Sequence, residues 1–197
     1  MISKKFLALL AFIISLNTFN SSQSIEPDIF VQSTVNRASQ ALNNKFSKEE
    51  KINKLKSIAK ETVDIKGIGF YTLGAYRKQM NADQLKTYAT LFEQYFLKSF
   101  SSRLAEYSNP EIEVNSKKKL NEKYTMVSST LVATNQRPEV KIDWRIYTKN
   151  PEKPLIRDLI IEGLSLARTQ KEEFSSIIQT NDGDINALFD TLKKFIN

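Results

Sequence analysis

The sequence predicts an α+β fold, an antiparallel four-stranded sheet with helices before and after it, and three observations predict it. Four stretches of strand-like alternation follow one another between Ile112 and Glu162. Stripes of helical period flank them on both sides. The single tryptophan of the 197-residue chain, Trp144, stands on the apolar side of the third stretch.

That third stretch organises the rest. Val140, Ile142, Trp144 and Ile146 alternate with Lys141, Asp143, Arg145 and Tyr147, so a strand here has one apolar face and one mostly polar face. Asn150, Pro151 and Pro154 punctuate a turn. Leu155 to Glu162 then gives a strand whose Leu159-Ile160-Ile161 run is apolar on both faces, as suits an interior position. Ahead of it, Ile112 and Val114 alternate with Glu111 and Glu113, Lys117-Lys118-Lys119 marks the first hairpin, and Tyr124 to Ala133 is rich in Thr, Val and Met. Consecutive strands of this kind form a meander.

The helices precede and follow. Pro27 suits a first helical turn, and Val31, Val35, Ala38 and Leu42 fall on one stripe. Ser47 with Glu50 makes a capping box for a helix whose Ile52, Leu55, Ala59 and Thr62 share a face. Gly67, Gly69 and Gly74 lie among Phe70, Tyr71 and Tyr76, which suggests a short helix packed closely on something bulky. Asn81 with Gln84 opens the longest helix, with Leu85, Tyr88, Phe92, Tyr95, Phe96, Phe100, Leu104 and Tyr107 on a wide aromatic face ended by Asn109-Pro110. After the sheet, Thr169 with Glu172 makes another capping box. Asp184 caps a final helix with Ile185, Leu188, Leu192 and Phe195 inward and Lys193 and Lys194 near its negative end.

Composition removes whole classes of chemistry. There is no cysteine and no histidine, so disulfides, thiolate nucleophiles, Ser-His-Asp triads and zinc sites of the usual kind are excluded. Gly67-Ile68-Gly69 lacks the strand and third glycine of a dinucleotide fingerprint. The Asn181-Asp182-Gly183-Asp184 segment lacks the Glu of a calcium loop, with Leu192 at position twelve. No metal, cofactor or nucleic-acid partner is expected. Lys4 and Lys5 before the apolar run Phe6 to Leu16, followed by Ser21, Ser22 and Ser24, read as a secretory signal peptide of residues 1–24. The run is shorter than the roughly 20 residues of a spanning helix. Cleavage leaves a single domain, 25–197, with no cysteine to carry a lipid anchor, and lowers the formal charge from +7 to +5.

Several motifs carry a family resemblance. Asp143-Trp144-Arg145, Asp158 before three apolar residues, Glu162-Gly163-Leu164-Ser165-Leu166, and Glu173-Phe174-Ser175 with Ile178 resemble the C-terminal signature of the MlaC family. These are soluble periplasmic phospholipid carriers auxiliary to an ABC transporter, also called toluene-tolerance proteins. Leu73-Gly74-Ala75-Tyr76-Arg77 and Asn81-Ala82-Asp83-Gln84 are similar to an upstream passage of that family, with Asn81-Ala82 in place of its usual Thr-Pro. Asn181-Asp182-Gly183-Asp184 likewise replaces a Gly-richer turn.

The resemblance implies a cone-like molecule whose curved sheet and helices enclose a lipid cavity. It further implies a periplasmic shuttle of phospholipid, as cargo, between an outer-membrane lipoprotein complex and the inner-membrane substrate-binding subunit of an ABC transporter, maintaining outer-membrane asymmetry. The expected lining is Phe70, Leu73, Tyr76, Phe92, Phe96, Trp144, Ile146, Ile160, Leu164 and Leu166, some of which are ordinary core. Arg145 and Glu162 lie on neighbouring strands if the loop forms a hairpin; as an ion pair they are either structural or at the headgroup mouth. The protein is expected to be a monomer and not an enzyme, although Asp143 with Asp158 or Glu162 is the carboxylate pair a glycosidase would need. The remaining class is a protein-binding adaptor or chaperone without lipid.

Overall fold

The computed structural model describes residues 24–135 and 137–197, so the expected leader lies, but for Ser24, outside the described residues. Helix α1 (Pro27–Ala41) starts on Pro27, with Asp28 in the first turn against the positive end of the helix dipole. Helix α2 (Lys48–Thr62) opens on a reciprocal box: the Glu50 N–H donates to Ser47 Oγ at 3.2 Å and the Ser47 N–H to the Glu50 carboxylate at 2.8 Å. Asp64 caps α3 (Ile65–Thr72) by accepting from the Gly67 N–H at 2.8 Å. A 3₁₀ turn over Gly74–Gln79 follows, entered at a positive φ of 56° that glycine tolerates. Asn81 and Gln84 then cap α4 (Ala82–Leu104) as the sequence predicts.

The sheet is antiparallel throughout and unclosed. Its strands β1 (Ile112–Asn121), β2 (Tyr124–Leu131), β3 (Val140–Tyr147), β4 (Leu155–Ile161) and β5 (Leu164–Ser165) lie side by side in chain order. Register assigns the faces: Val127, Trp144 and Leu159 stand opposite one another, as do Thr125, Ile146 and Ile156, and these share the face turned to the helices. Met126, Arg145 and Asp158 stand on the other face, with Tyr124 and Tyr147 beside them. Bulges in β1 and at Arg157 of β4 interrupt the ladders and bend the sheet.

Helices α5 (Leu166–Gln179) and α6 (Ile185–Ile196) complete the chain. Helix α1 packs on β1 and β2, α3 and α5 pack on β4, and α4 lies behind against α2, α3 and α6. One apolar cluster joins Val31, Tyr88, Phe92, Trp144, Ile146, Phe174, Ile178 and Leu188 across these layers. Phe92 is its aromatic hub, with ring centroids 5.8 Å from Tyr88, 6.1 Å from Phe96 and 6.2 Å from Phe174, the last edge-on. Gly69 permits this approach: a Cβ there would lie 2.7 Å from Phe92 Cδ1.

The strand count is five rather than the expected four, because Glu162 and Gly163 take positive φ (49° and 82°) and form a two-residue hairpin that returns Leu164-Ser165 along β4. Three local expectations need correction. Lys117-Lys118-Lys119 lies inside β1, where Lys117 reaches Glu26 (2.6 Å) and Asp28 (2.8 Å) of the α1 start; the turn falls at Glu122-Lys123, and the Asn121 side chain before it accepts from the Lys123 N–H. Helix α5 begins at Leu166 rather than after Thr169, because Ser165 supplies the cap on the Arg168 N–H at 3.1 Å. Helix α4 stops at Leu104, leaving Tyr107 outside it and exposed, before Asn109 turns at a φ of 44°.

Candidate functional site

Seven of the ten expected lining residues come together between sheet and helices. Leu73 and Ile146 are completely buried, Phe92 and Trp144 nearly so, and Phe70, Tyr76 and Phe96 pack half-buried at the edge of the same cluster. Trp144 Nε1 donates to Ser129 Oγ at 2.8 Å, and that hydroxyl donates onward to the Ile142 carbonyl at 3.1 Å. Thr72 Oγ1 donates to the Gly69 carbonyl at 2.7 Å and so accepts from the Tyr88 hydroxyl, also at 2.7 Å. Burial pushes the Tyr88 phenol well above its ordinary value of 10, opposed in part by that hydrogen bond. Leu73 and Ile146 leave no solvent-accessible surface of their own in this layer.

The other three stand apart from this cluster. Ile160 pairs with Asp143 and Ser165 on the face opposite Trp144. Leu164 and Leu166 project into solvent at 59% and 43% exposure, on the β4–β5 hairpin and the first residue of α5. The expected Arg145–Glu162 pair is not formed. Register sets Arg145 opposite Asp158, with Arg145 Nη1 3.6 Å from Asp158 Oδ2, while Glu162 accepts from the Lys141 N–H at the hairpin. Asp143 accepts from the Ser128 hydroxyl.

Asp158 is the polar centre of this region. Its Oδ1 accepts from the Ala167 N–H at 3.0 Å and its Oδ2 from Ser165 Oγ at 2.6 Å, so a buried carboxylate on β4 satisfies the α5 N-terminus and is itself satisfied. A recess of about 370 Å³ opens beside it, bounded by Gly67, Ile68 and Tyr71 of α3, Leu120, Asn121 and Tyr124 of the β1–β2 hairpin, Arg145, Arg157 and Ala167. Arg157 crosses its wall, with Nε 2.6 Å from Asp64 Oδ2 and the guanidinium 4.7 Å over the Tyr147 ring. Gly67 leaves room for that crossing, since a Cβ would lie 2.6 Å from both Arg157 Cζ and Asp64 Oδ2. A second recess of about 590 Å³ runs along α5 past Arg168, Lys171 and Glu172 and shares Tyr71, whose ring lies 5.4 Å beneath Lys171 Nζ.

Sequence reasoning named Arg145 here and missed Tyr71, Leu120, Tyr124 and Arg157. They come from α3, the β1–β2 hairpin and β4, three regions far apart in sequence, and the one local signal was the glycine cluster around Gly67. Among the described residues no group of acidic side chains is placed to hold a metal ion, and no helix is long and apolar enough to cross a membrane.

Two comparisons bear on this arrangement. Residues 32–194 match the model of the MlaC protein family. The fold superposes with a TM-score of 0.73 on the phospholipid-binding protein from Ralstonia solanacearum, solved in complex with a phospholipid, at 18% sequence identity and over 87% of this chain and 97% of that one.

Proposed function

The chain belongs to the MlaC family, and from that premise we propose that it is a phospholipid carrier and not an enzyme. In this reading a secreted, unanchored monomer moves phospholipid across the periplasm between an outer-membrane lipoprotein complex and the substrate-binding subunit of an inner-membrane ABC transporter, and so maintains outer-membrane asymmetry. The observation that carries it is the family match over nearly the whole described chain. The phospholipid held by the similarly folded Ralstonia solanacearum protein supports it.

The physical requirement is an apolar space that replaces the bilayer. Each methylene removed from water is worth about 0.8 kcal/mol, so a two-chain lipid with roughly thirty gains more than 20 kcal/mol gross. A recess of about 370 Å³ is near the low end of the ~300–1,000 Å³ that takes a drug-sized ligand; it suits a headgroup region rather than two chains, and it meets the core cluster through Ile68 and Ala167. The chains belong between Trp144's strand and the Phe92 helix, and loading must part those layers. Side chains there exchange contacts with one another for contacts with methylenes, so the net gain is the cargo's own, less the packing lost. That balance is what a carrier that also releases needs.

The complete burial of Leu73 and Ile146 between the layers favours one alternative, a periplasmic protein-binding adaptor or chaperone with no lipid. Mass spectrometry of an organic extract of the purified protein separates the two. Near-stoichiometric phospholipid is expected, and a protein that emerges empty from cells and from incubation with vesicles would leave the adaptor. Fractionation should recover the mature chain with the periplasm. Transfer between purified donor and acceptor complexes then tests the shuttle itself.

A further inference from the structure

The recess beside Asp158 is lined by two arginines that keep N–H donors beyond those used within the protein. Both oxygens of Asp158 are occupied by Ala167 and Ser165, and both oxygens of Asp64 by Gly67 N–H and Arg157 Nε. Arg145 makes no guanidinium hydrogen bond to any described residue, its nearest carboxylate oxygen lying 3.6 Å away. Arg157 has spent only its Nε on Asp64. The Tyr71 and Tyr124 side chains border the same space, and Ile68, Leu120 and Ala167 give it an apolar floor.

A planar fork of unspent N–H groups over an apolar floor matches a phosphate ester, which offers several acceptor oxygens and no donor. Two guanidinium groups at one recess repel an ammonium group. The carboxylates beside them are turned to their own partners, and the Tyr71 ring at the wall already lies beneath Lys171.

The geometry points to a phosphate-ester site in this recess, held by Arg145 and Arg157, that prefers lipids with a hydroxyl headgroup such as phosphatidylglycerol over those with an ammonium headgroup such as phosphatidylethanolamine. The inference rests on the carrier reading for its lipid source, but the phosphate chemistry stands separately. Arg145 is a direct ligand of the phosphate. Gly67 is a positioning residue, because it leaves the path along which Arg157 reaches the recess.

The test loads the full mature protein from vesicles with equal phosphatidylglycerol and phosphatidylethanolamine and reads the headgroup ratio of whatever lipid is bound. An ammonium a few ångströms from an arginine at a partly wet site costs about a factor of five, so a ratio of roughly fivefold toward phosphatidylglycerol is expected. Arg145→Gln should bring it close to one, and Lys54→Gln on α2 should leave it unchanged. Tyr124→Phe serves as a second recess variant should Arg145→Gln fold poorly, and is expected to reduce the ratio. An even ratio in the unaltered protein, or a fivefold ratio that survives the recess variants, would overturn the proposal. If no lipid loads at all, the carrier reading fails. Titration with inorganic phosphate and glycerol 3-phosphate then decides: binding lost in Arg145→Gln keeps the site with a free ester as its source, and no binding removes it.

Discussion

Removing the Asp158 carboxylate takes an acceptor from the Ala167 N–H and the Ser165 hydroxyl together, and strips Arg145 of its nearest opposite charge. Hydrogen bonds to a charged group are worth about 1.5–3 kcal/mol each. Asp158→Ala is therefore expected to cost about 3 kcal/mol or more in chemical denaturation, with α5 losing amide protection first. Tyr88 gives a pH-dependent counterpart. Its phenol is buried and its pKa raised, so the stability gained by keeping it neutral is complete below pH 10 and is lost as pH climbs beyond that. Tyrosinate absorbance should rise together with loss of helical circular dichroism. Tyr88→Phe should move that alkaline transition upward while costing about 1 kcal/mol at neutral pH. At this scale the sequence was a partial guide. Trp144 was recognisable as an inward anchor from simple alternation, whereas the partner of Arg145 depended on a register that the extra residue Arg157 shifts, and no local pattern marks that bulge.

Elements were most legible where a short-range motif decides them. The Ser47–Glu50 and Asn81–Gln84 boxes act over three residues, and the helices they open begin where expected. Boundaries were less legible where other partners join in: the Ser165 cap that starts α5 at Leu166 is reinforced by Asp158 of β4, and the acids that hold Lys117 within β1 sit on α1. Close approach of α3 and α4 depends on Gly69. Gly69→Ala should push Phe92 outward at about 1–3 kcal/mol, seen as a lower midpoint in urea. Contact of α1 with β1 carries its own pH window. The Lys117 hydrogen bond holds Asp28 below its ordinary 3.8, so its contribution is present above that value and is lost as pH falls lower. Lys117 is raised by the same bond and by Glu26, so the contact also weakens as pH rises beyond about 10.5. Hydrogen exchange of α1 amides, relative to the intrinsic rate, should accelerate below pH 3.8 while α4 stays protected.

For the molecule as a whole, cargo is a stabiliser by mass action. Phospholipid bound to the folded chain alone at a hundredfold excess over its Kd adds about 2.7 kcal/mol, so delipidated protein should melt several degrees earlier and recover when vesicles are added. An unchanged melting temperature after reloading would argue against an internal site. Helices around a meander could be read from periodicity because that signal is spread over many residues. The recess could not, since it forms only where a hairpin tip, a short helix and two arginines from adjacent strands converge.

The ends of the sheet bear on how such a body gains volume. β1 and β5 are hydrogen-bonded to one neighbouring strand each, so the ladder never meets itself. A barrel must sever a seam in order to widen. This ribbon can uncurl with every rung intact, and the work of swelling is then charged to side-chain contacts alone.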